Sequence, residues 1–369
     1  KMKHCFRFIG SFILFALPVI CATSLSCGGE FEKAKDGRIL SFPKDHGKHP
    51  AFQTEWWYFT GNLTSADRKW GTQLTFFRRS LFEKGSKGKS KWLVRDLYPS
   101  HFAITDITGG NFFHSEIISR EGPGLAEAES NRLSVRVKDW RASMDGGAIT
   151  LRAVDGPYEI DLSLTPEKPI ILHGDNGFSV KGNDPDQASY YYSFTRLKAE
   201  GALVFNGSRF EVTGSMWMDH EFGSSILNQD QIGWDWFSLQ FDNGTELMAY
   251  YLRRSDAANE KPFATFVDQS GKPTHLSGSS VSIKGAGSWV SPRTKAKYPN
   301  EWIIEIPEKK LRVAVSPAVK DQELSNLKST QTSYWEGAVV AKGVVEGNPV
   351  QGRGYVELTG YSKSMGGQL

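Results

Sequence analysis

The chain carries one pair of hairpins twice. The first opens with Gln53-Thr54-Glu55-Trp56-Trp57-Tyr58-Phe59-Thr60-Gly61, turns through residues 62–71, and returns as Thr72-Gln73-Leu74-Thr75-Phe76-Phe77-Arg78-Arg79-Ser80. The second opens with Trp234-Asp235-Trp236-Phe237-Ser238 and turns at Asp242-Asn243-Gly244, a strong hairpin signal. It returns as Thr245-Glu246-Leu247-Met248-Ala249-Tyr250-Tyr251-Leu252-Arg253-Arg254-Ser255. Both return strands start Thr-x-Leu and end Arg-Arg-Ser. The closing segments correspond as well: Ser189-Tyr190-Tyr191 precedes Gly207 and Gly214, and Ser333-Tyr334-Trp335 precedes Gly347 and Gly354. Self-similarity on this scale means that a domain-sized unit is duplicated. The boundary falls within residues 223–231, which predicts domains over 51–223 and 224–369.

Between the repeated ends the pattern is strand. Leu133, Val135 and Val137 alternate with polar residues, as do Ile149, Leu151 and Ala153, then Ile160, Leu162 and Leu164. Asp145-Gly146-Gly147 and Asp155-Gly156-Pro157 supply turns, and 302–306 and 311–315 form another expected pair. Helical periodicity is confined to short pieces such as residues 321–328. With 37 glycines and 12% aromatic residues, the composition suits short strands, tight turns and sheet faces filled by rings. The expected fold is all-β: two meandering antiparallel barrels in tandem, each of a size that holds a small molecule in its mouth.

The N-terminus reads differently. Lys3, His4 and Arg7 precede an apolar run over residues 8–22, followed by small residues up to Cys27. A basic start, a short apolar stretch and small residues at its end describe an export signal over residues 1–27. Leu25-Ser26-Cys27 resembles a lipobox, with Cys27 the residue to be lipidated; Ser24 departs from the usual aliphatic residue there. This places the protein in the bacterial periplasm or on the outer membrane or cell surface, with the lipid anchor as its membrane contact. Residues 28–50 are polar and read as a flexible leader. Cys5, Cys21 and Cys27 all precede the folded part, which excludes a disulfide framework or thiolate chemistry there. A net charge of +3 gives no nucleic-acid surface, and the basic run over residues 84–91 reads as a solvated hairpin loop.

Three motifs, Thr54-Glu55-Trp56-Trp57-Tyr58-Phe59-Thr60-Gly61, Trp217-Met218-Asp219-His220-Glu221-Phe222-Gly223 and Gly233-Trp234-Asp235-Trp236-Phe237, together with residues 352–361, resemble the carotenoid 1,2-hydratase and AttH group of bacterial lipocalin-like proteins. The resemblance spans nearly everything after the leader. It implies two lipocalin-like barrels and a hydrophobic pocket between or within them. It leaves the reaction open, because hydratase members add water to an isoprenoid double bond without a cofactor while many AttH members lie beside ABC-transporter components.

Hydrating an unactivated alkene needs a strong proton donor, a surface that tolerates a tertiary cation, and a delivered water. Burial keeps a carboxyl protonated, and aromatic faces attract a cation. Asp235, between Trp234 and Trp236 and matching the family's acidic position, is the expected acid, with His220 or Asp219 holding the water or resetting the proton. Trp56, Tyr58, Trp217, Glu221, Trp234 and Trp236 are the expected ligand-binding residues. The competing reading of Asp235 is a carboxylate facing solvent between two inward tryptophans, as strict alternation would give. Asp219-His220-Glu221 is a poor metal motif, since neighbouring strand residues point to opposite faces; neither metal nor cofactor is expected. Glu55 is expected to pair with Arg78 or Arg79. Three functions stay open: a hydro-lyase or isomerase acting on an apolar, isoprenoid- or lipid-like ligand; a non-catalytic lipid carrier serving an ABC transporter permease; and a secreted hydrolase, for which no motif is visible.

Overall fold

A computed structural model describes residues 31–82, 94–181, 187–224, 227–256 and 261–366. Two large antiparallel sheets hold nearly all of them. In the first, the hairpin Thr54–Ser65 and Arg68–Ser80 extends on one side into Asp96–Asp106 and Asn111–Arg120. On its other side Thr54–Ser65 pairs with Ser208–Gly223, followed by Ala188–Phe205, Tyr158–Pro166, Ala148–Asp155 and Trp140–Asp145. The second sheet repeats this order. Its hairpin Gln231–Phe241 and Glu246–Arg254 leads to Phe263–Val267 and Pro273–Ser277. On the other side come Asn348–Leu358, Thr332–Val345, Leu311–Pro317, Glu301–Ile306 and Ser282–Ala286. The repeat in the sequence is therefore a repeat of topology: in each half the first strand pairs with the last, which curls the sheet into a lipocalin-like barrel.

Turn chemistry repeats too. The longest hairpin of each half turns on two residues with positive φ, Asn206-Gly207 (51° and 78°) and Glu346-Gly347 (52° and 81°). That geometry matches the right-handed twist of the flanking strands and favours glycine at the second position. Alternation then assigns each strand one face to its own barrel. Trp57, Phe59, Trp70, Phe76 and Phe102 fill the first core, and Phe237, Trp302, Val313, Trp335 and Val339 fill the second. A third buried cluster belongs to neither. Tyr58, Tyr191 and Trp217 from the first sheet pack against Trp236, Met248, Tyr250 and Tyr355 from the second.

Polar contacts fix the two halves to each other. Gln240 donates to the carbonyls of Thr195 (2.8 Å) and Met216 (3.0 Å), and buried Glu246 pairs with Lys168 (2.7 Å) and Arg196 (2.6 Å). Buried hydrogen bonds of this kind are costly to break, because each group left behind is desolvated and unpaired.

Two expectations need correction. Residues 31–50, expected to be a flexible leader, are packed on the first barrel: Ala34 and Leu40 join its core, and Asp45, His46 and His49 are buried. The buried polar residues are paired, Asp45 with Arg38 (2.8 Å) and His49 (2.9 Å), and His46 with the Tyr192 hydroxyl (2.7 Å). Within residues 321–328, expected to be helical, Glu323–Asn326 is a strand paired with Thr332–Val345; the ladder of a neighbouring strand overrides local propensity. The export signal, Cys27 and the basic run lie outside the described residues. Among the described residues no helix is long and apolar enough to cross a membrane.

Candidate ligand cavity between the two barrels

Strand register determines which side chains meet in the middle. In the first half Trp56 lies opposite Glu221, and Glu221 opposite Tyr191. In the second half Trp236 lies opposite Glu357, and Glu357 opposite Glu336. These are equivalent positions of the repeat. Their side chains leave the two barrels outward, toward each other, and enclose a cavity of about 150 Å³. Trp56, Tyr58, Phe77, Tyr191, Trp234, Trp236, Tyr250 and Leu252 make most of its wall apolar. Set into that wall are Asp219, Glu221, Glu336, Glu357 and Lys181.

The carboxyl groups differ in their surroundings. Asp219 accepts hydrogen bonds from Trp217 Nε1 (2.6 Å), Tyr191 Oη (2.7 Å) and Ser193 Oγ. Burial pushes its pKa up to about 7, against the lowering effect of those three donors. Glu357 is likewise pushed up to about 7 by burial, with the bond from Trp234 Nε1 (2.7 Å) opposing the shift. Glu336 is raised well above the ordinary range by burial and by the neighbouring Glu357. Neither of its oxygens closes a hydrogen bond with a described residue, and the Tyr58 hydroxyl beside it is equally unsatisfied. Glu221 is tied down by Lys181 (2.9 Å) and by Ser189 Oγ. The Lys181 ammonium also sits 4.8 Å from the Tyr191 ring centre and 4.9 Å from that of Tyr250. An apolar chamber with two carboxyls poised near neutrality is a setting for proton transfer.

Of the residues expected from sequence, Asp219, Glu221, Trp56, Tyr58, Trp234 and Trp236 line this cavity, and Trp217 stands behind Asp219. Asp235 and His220 do not. The indoles of Trp234 and Trp236 face the cavity, so Asp235 faces the interior of the second barrel. There it is fully buried and bonded to Arg253 (2.9 Å), Tyr251 (2.7 Å) and Tyr361 (3.0 Å). Burial raises its pKa, against the pull of Arg253.

His220 points into the first barrel, where Nε2 contacts Glu55 (2.9 Å) and Nδ1 the Tyr192 hydroxyl (2.9 Å). Glu55 also pairs with Arg78 (2.9 Å) and His49 (2.7 Å). Burial alone would raise the Glu55 pKa, but His49 and Arg78 hold it well below the ordinary range. His49, Glu55 and His220 are close enough to share a cation. Yet His49 Nε2 is engaged by Asp45 (2.9 Å), and both Glu55 oxygens already take protein donors. The donor set is satisfied as an ion-pair network.

Sequence reasoning missed Glu336, Glu357, Tyr191, Tyr250 and Lys181. The repeat held the signal for the first three. Once Trp56 and Trp236 are aligned as equivalent, their partners on the last two strands of each half follow from pairing alone.

The AttH-like family matches residues 33–361. The chain belongs to the AttH-like family. A crystal structure of a candidate AttH from Nitrosomonas europaea is 34% identical, with a TM-score of 0.80 over 89% of this chain and 99% of that one. Kievitone hydratase from Nectria haematococca is 15% identical with a TM-score of 0.70, over 91% of this chain and 97% of its own. CghA, crystallised with Sch210972, shares the fold more distantly, at 14% identity and a TM-score of 0.54 over 84% of this chain and 89% of its own. No curated protein sequence matches. The AttH-like members and the hydratase thus share the two-sheet lipocalin-like architecture, and the cavity lies on the seam it creates.

Proposed function

We propose that this AttH-like protein binds an apolar, isoprenoid- or lipid-like molecule in the cavity between its barrels and hydrates a double bond there. The observation that carries the reading is the Asp219 carboxyl, buried in an aromatic wall where desolvation pushes its pKa up to about 7. A useful general acid must be protonated at working pH and still give its proton up, so a pKa near neutrality serves better than one far above it. Asp219 meets both conditions, whereas Glu336 is held too strongly protonated.

The alkene takes the Asp219 proton on one carbon, and the C=C π pair becomes the new C–H bond. The cation left on the other carbon lies among the rings of Trp236 and Tyr191, whose faces attract it. Hydrogen bonds from Tyr191, Trp217 and Ser193 stabilise the new Asp219 carboxylate without reorganisation. A water beside Glu357 then forms the C–O bond and passes its extra proton to the Glu357 carboxylate, which releases it to bulk water once the alcohol has left. No cofactor is required by this sequence. The distant fold relative named as a hydratase is in keeping with it. Export, read from the N-terminus, is part of the same proposal: the ligand is met outside the cytoplasm.

The test is turnover of isoprenoid alkenes in H₂¹⁸O, followed by mass spectrometry. The account expects an ¹⁸O-labelled alcohol from the native protein and none from Asp219→Asn, which still binds. Binding without any turnover by the native protein would contradict hydration and assign the cavity to a carrier.

A further inference from the structure

Asp219 reaches further than the cavity. Ser193 lies directly opposite it in the sheet and donates to its Oδ1. Ser193 Oγ is 2.6 Å from Nε2 of His173, and His173 Nδ1 is 2.9 Å from Thr265 Oγ1, in the other sheet. Thr265 Oγ1 is in turn 3.1 Å from Nδ1 of His275, which lies opposite it on the adjoining strand. Ser193, His173 and Thr265 are buried; His275 is exposed. We propose that this chain is a proton relay that reloads Asp219 from the protein surface, with His173 as the link between the two barrels. The proposal rests on the reading of Asp219 as the acid.

One set of orientations makes the chain directional. His275 Nδ1–H donates to Thr265, whose hydroxyl donates to His173 Nδ1. His173 Nε2–H donates to Ser193, whose hydroxyl donates to Asp219. Burial holds the pKa of His173 well below the ordinary range, so its ring carries a single proton and leaves the other nitrogen free to accept. When Asp219 is a carboxylate, one concerted shift restores it. Each O–H or N–H bond along the chain breaks toward Asp219 as the next one forms behind it. Asp219 ends as the acid, the two hydroxyls are regenerated, and His173 has moved its proton from Nε2 to Nδ1. His275, whose pKa burial lowers, starts neutral with its proton on Nδ1, takes a proton from bulk water on Nε2 as it gives the Nδ1 proton up, and ends neutral; exchange with solvent returns its starting tautomer. Rotation of the His173 ring returns the starting tautomer.

Such a path has a purpose here. Asp219 is only 4% exposed, and that exposure is on the cavity side. An apolar ligand seated against Asp219 cuts that side off from bulk water. The relay approaches from behind, through the seam between the sheets, and stays intact with the cavity full.

The test is rapid-mixing infrared spectroscopy of the full protein, its cavity filled with n-dodecane to shut off exchange from that side, diluted from H₂O into D₂O at pH 6. The protonated Asp219 band is identified as the C=O stretch lost in Asp219→Asn. The relay predicts that Thr265→Val, which keeps the shape of the side chain, slows deuteration of that band by about tenfold or more, roughly 1.4 kcal/mol of added barrier. His173→Phe is predicted to have the same effect. A band present in Thr265→Val that exchanges at the native rate overturns the relay and leaves the acid assignment intact. A native protein without the band overturns both.

Discussion

Asp235 and Trp236 are neighbours in the chain, yet they serve different interiors. The Trp236 indole crosses the seam to donate to the Tyr191 hydroxyl (3.1 Å), while Asp235 accepts from Tyr251 (2.7 Å) inside the second barrel. Glu55 and Trp56 divide the same way in the first half, with Glu55 paired to Arg78 and Trp56 facing the cavity. The acid in each motif is therefore the inward partner of an arginine, and the aromatic beside it faces the cavity.

Asp235→Asn is accordingly predicted to lower stability by about 2 kcal/mol or more, because Arg253 is left buried without its counter-charge. Binding of an apolar probe is predicted to be unchanged. Urea unfolding beside a fluorescent-probe titration measures both. Native stability with lost binding would return Asp235 to the site.

Glu55→Gln strikes a fully buried pair and is predicted to cost roughly 3–5 kcal/mol at neutral pH. The Glu55 pKa is depressed in the folded state, so its contribution is present above the unfolded carboxyl pKa and is lost as pH falls through the folded value. The variant is therefore predicted to lose less stability than the native protein on acidification, measured by melting at a series of acidic pH values.

Asp219 has the opposite sign. Its pKa rises from 3.8 to about 7 on folding, so the unfolded chain ionises first as pH rises. Its contribution is complete below about pH 4 and is lost as pH climbs to about 7. At 1.36 kcal/mol per unit, the native protein forfeits up to about 4 kcal/mol over that window. Asp219→Asn cannot ionise, so its stability relative to the native protein is predicted to increase between pH 4 and pH 8. Parallel denaturation curves at those two values decide it.

Much of this was legible without coordinates. Duplication is visible in the Arg-Arg-Ser ends and the spaced glycines, and it fixes the two-barrel architecture because each repeat must bury its own sheet. Pairing of Glu55 with Arg78 follows from the hairpin register. Register alone does not assign Asp235 to Arg253, because Asp235 lies opposite Tyr251 and Arg253 opposite Gly233, and the arginine reaches the acid diagonally. Composition hid the pair as well, since a carboxyl between two tryptophans looks like a site whichever way the strand turns. Glu336 and Glu357 were hidden for a different reason. Each stands in an ordinary alternating strand, and only the packing of one barrel on the other makes their outward face an interior.

Trp236→Ala removes an indole from the second barrel's side of the cavity along with its bond to Tyr191. Loss of a buried aromatic anchor of this kind costs about 2 kcal/mol, close to thirtyfold in affinity. Displacement of a hydrophobic fluorescent probe measures it.

The most direct test of the cavity as the ligand site is native mass spectrometry of protein equilibrated with a lipid extract. The account predicts a single bound apolar molecule on the native protein and on Asp235→Asn, and none on Ser189→Trp, whose indole would fill the space between Glu221 and the aromatic wall. An adduct that survives Ser189→Trp, or a native protein that stays bare, would contradict it.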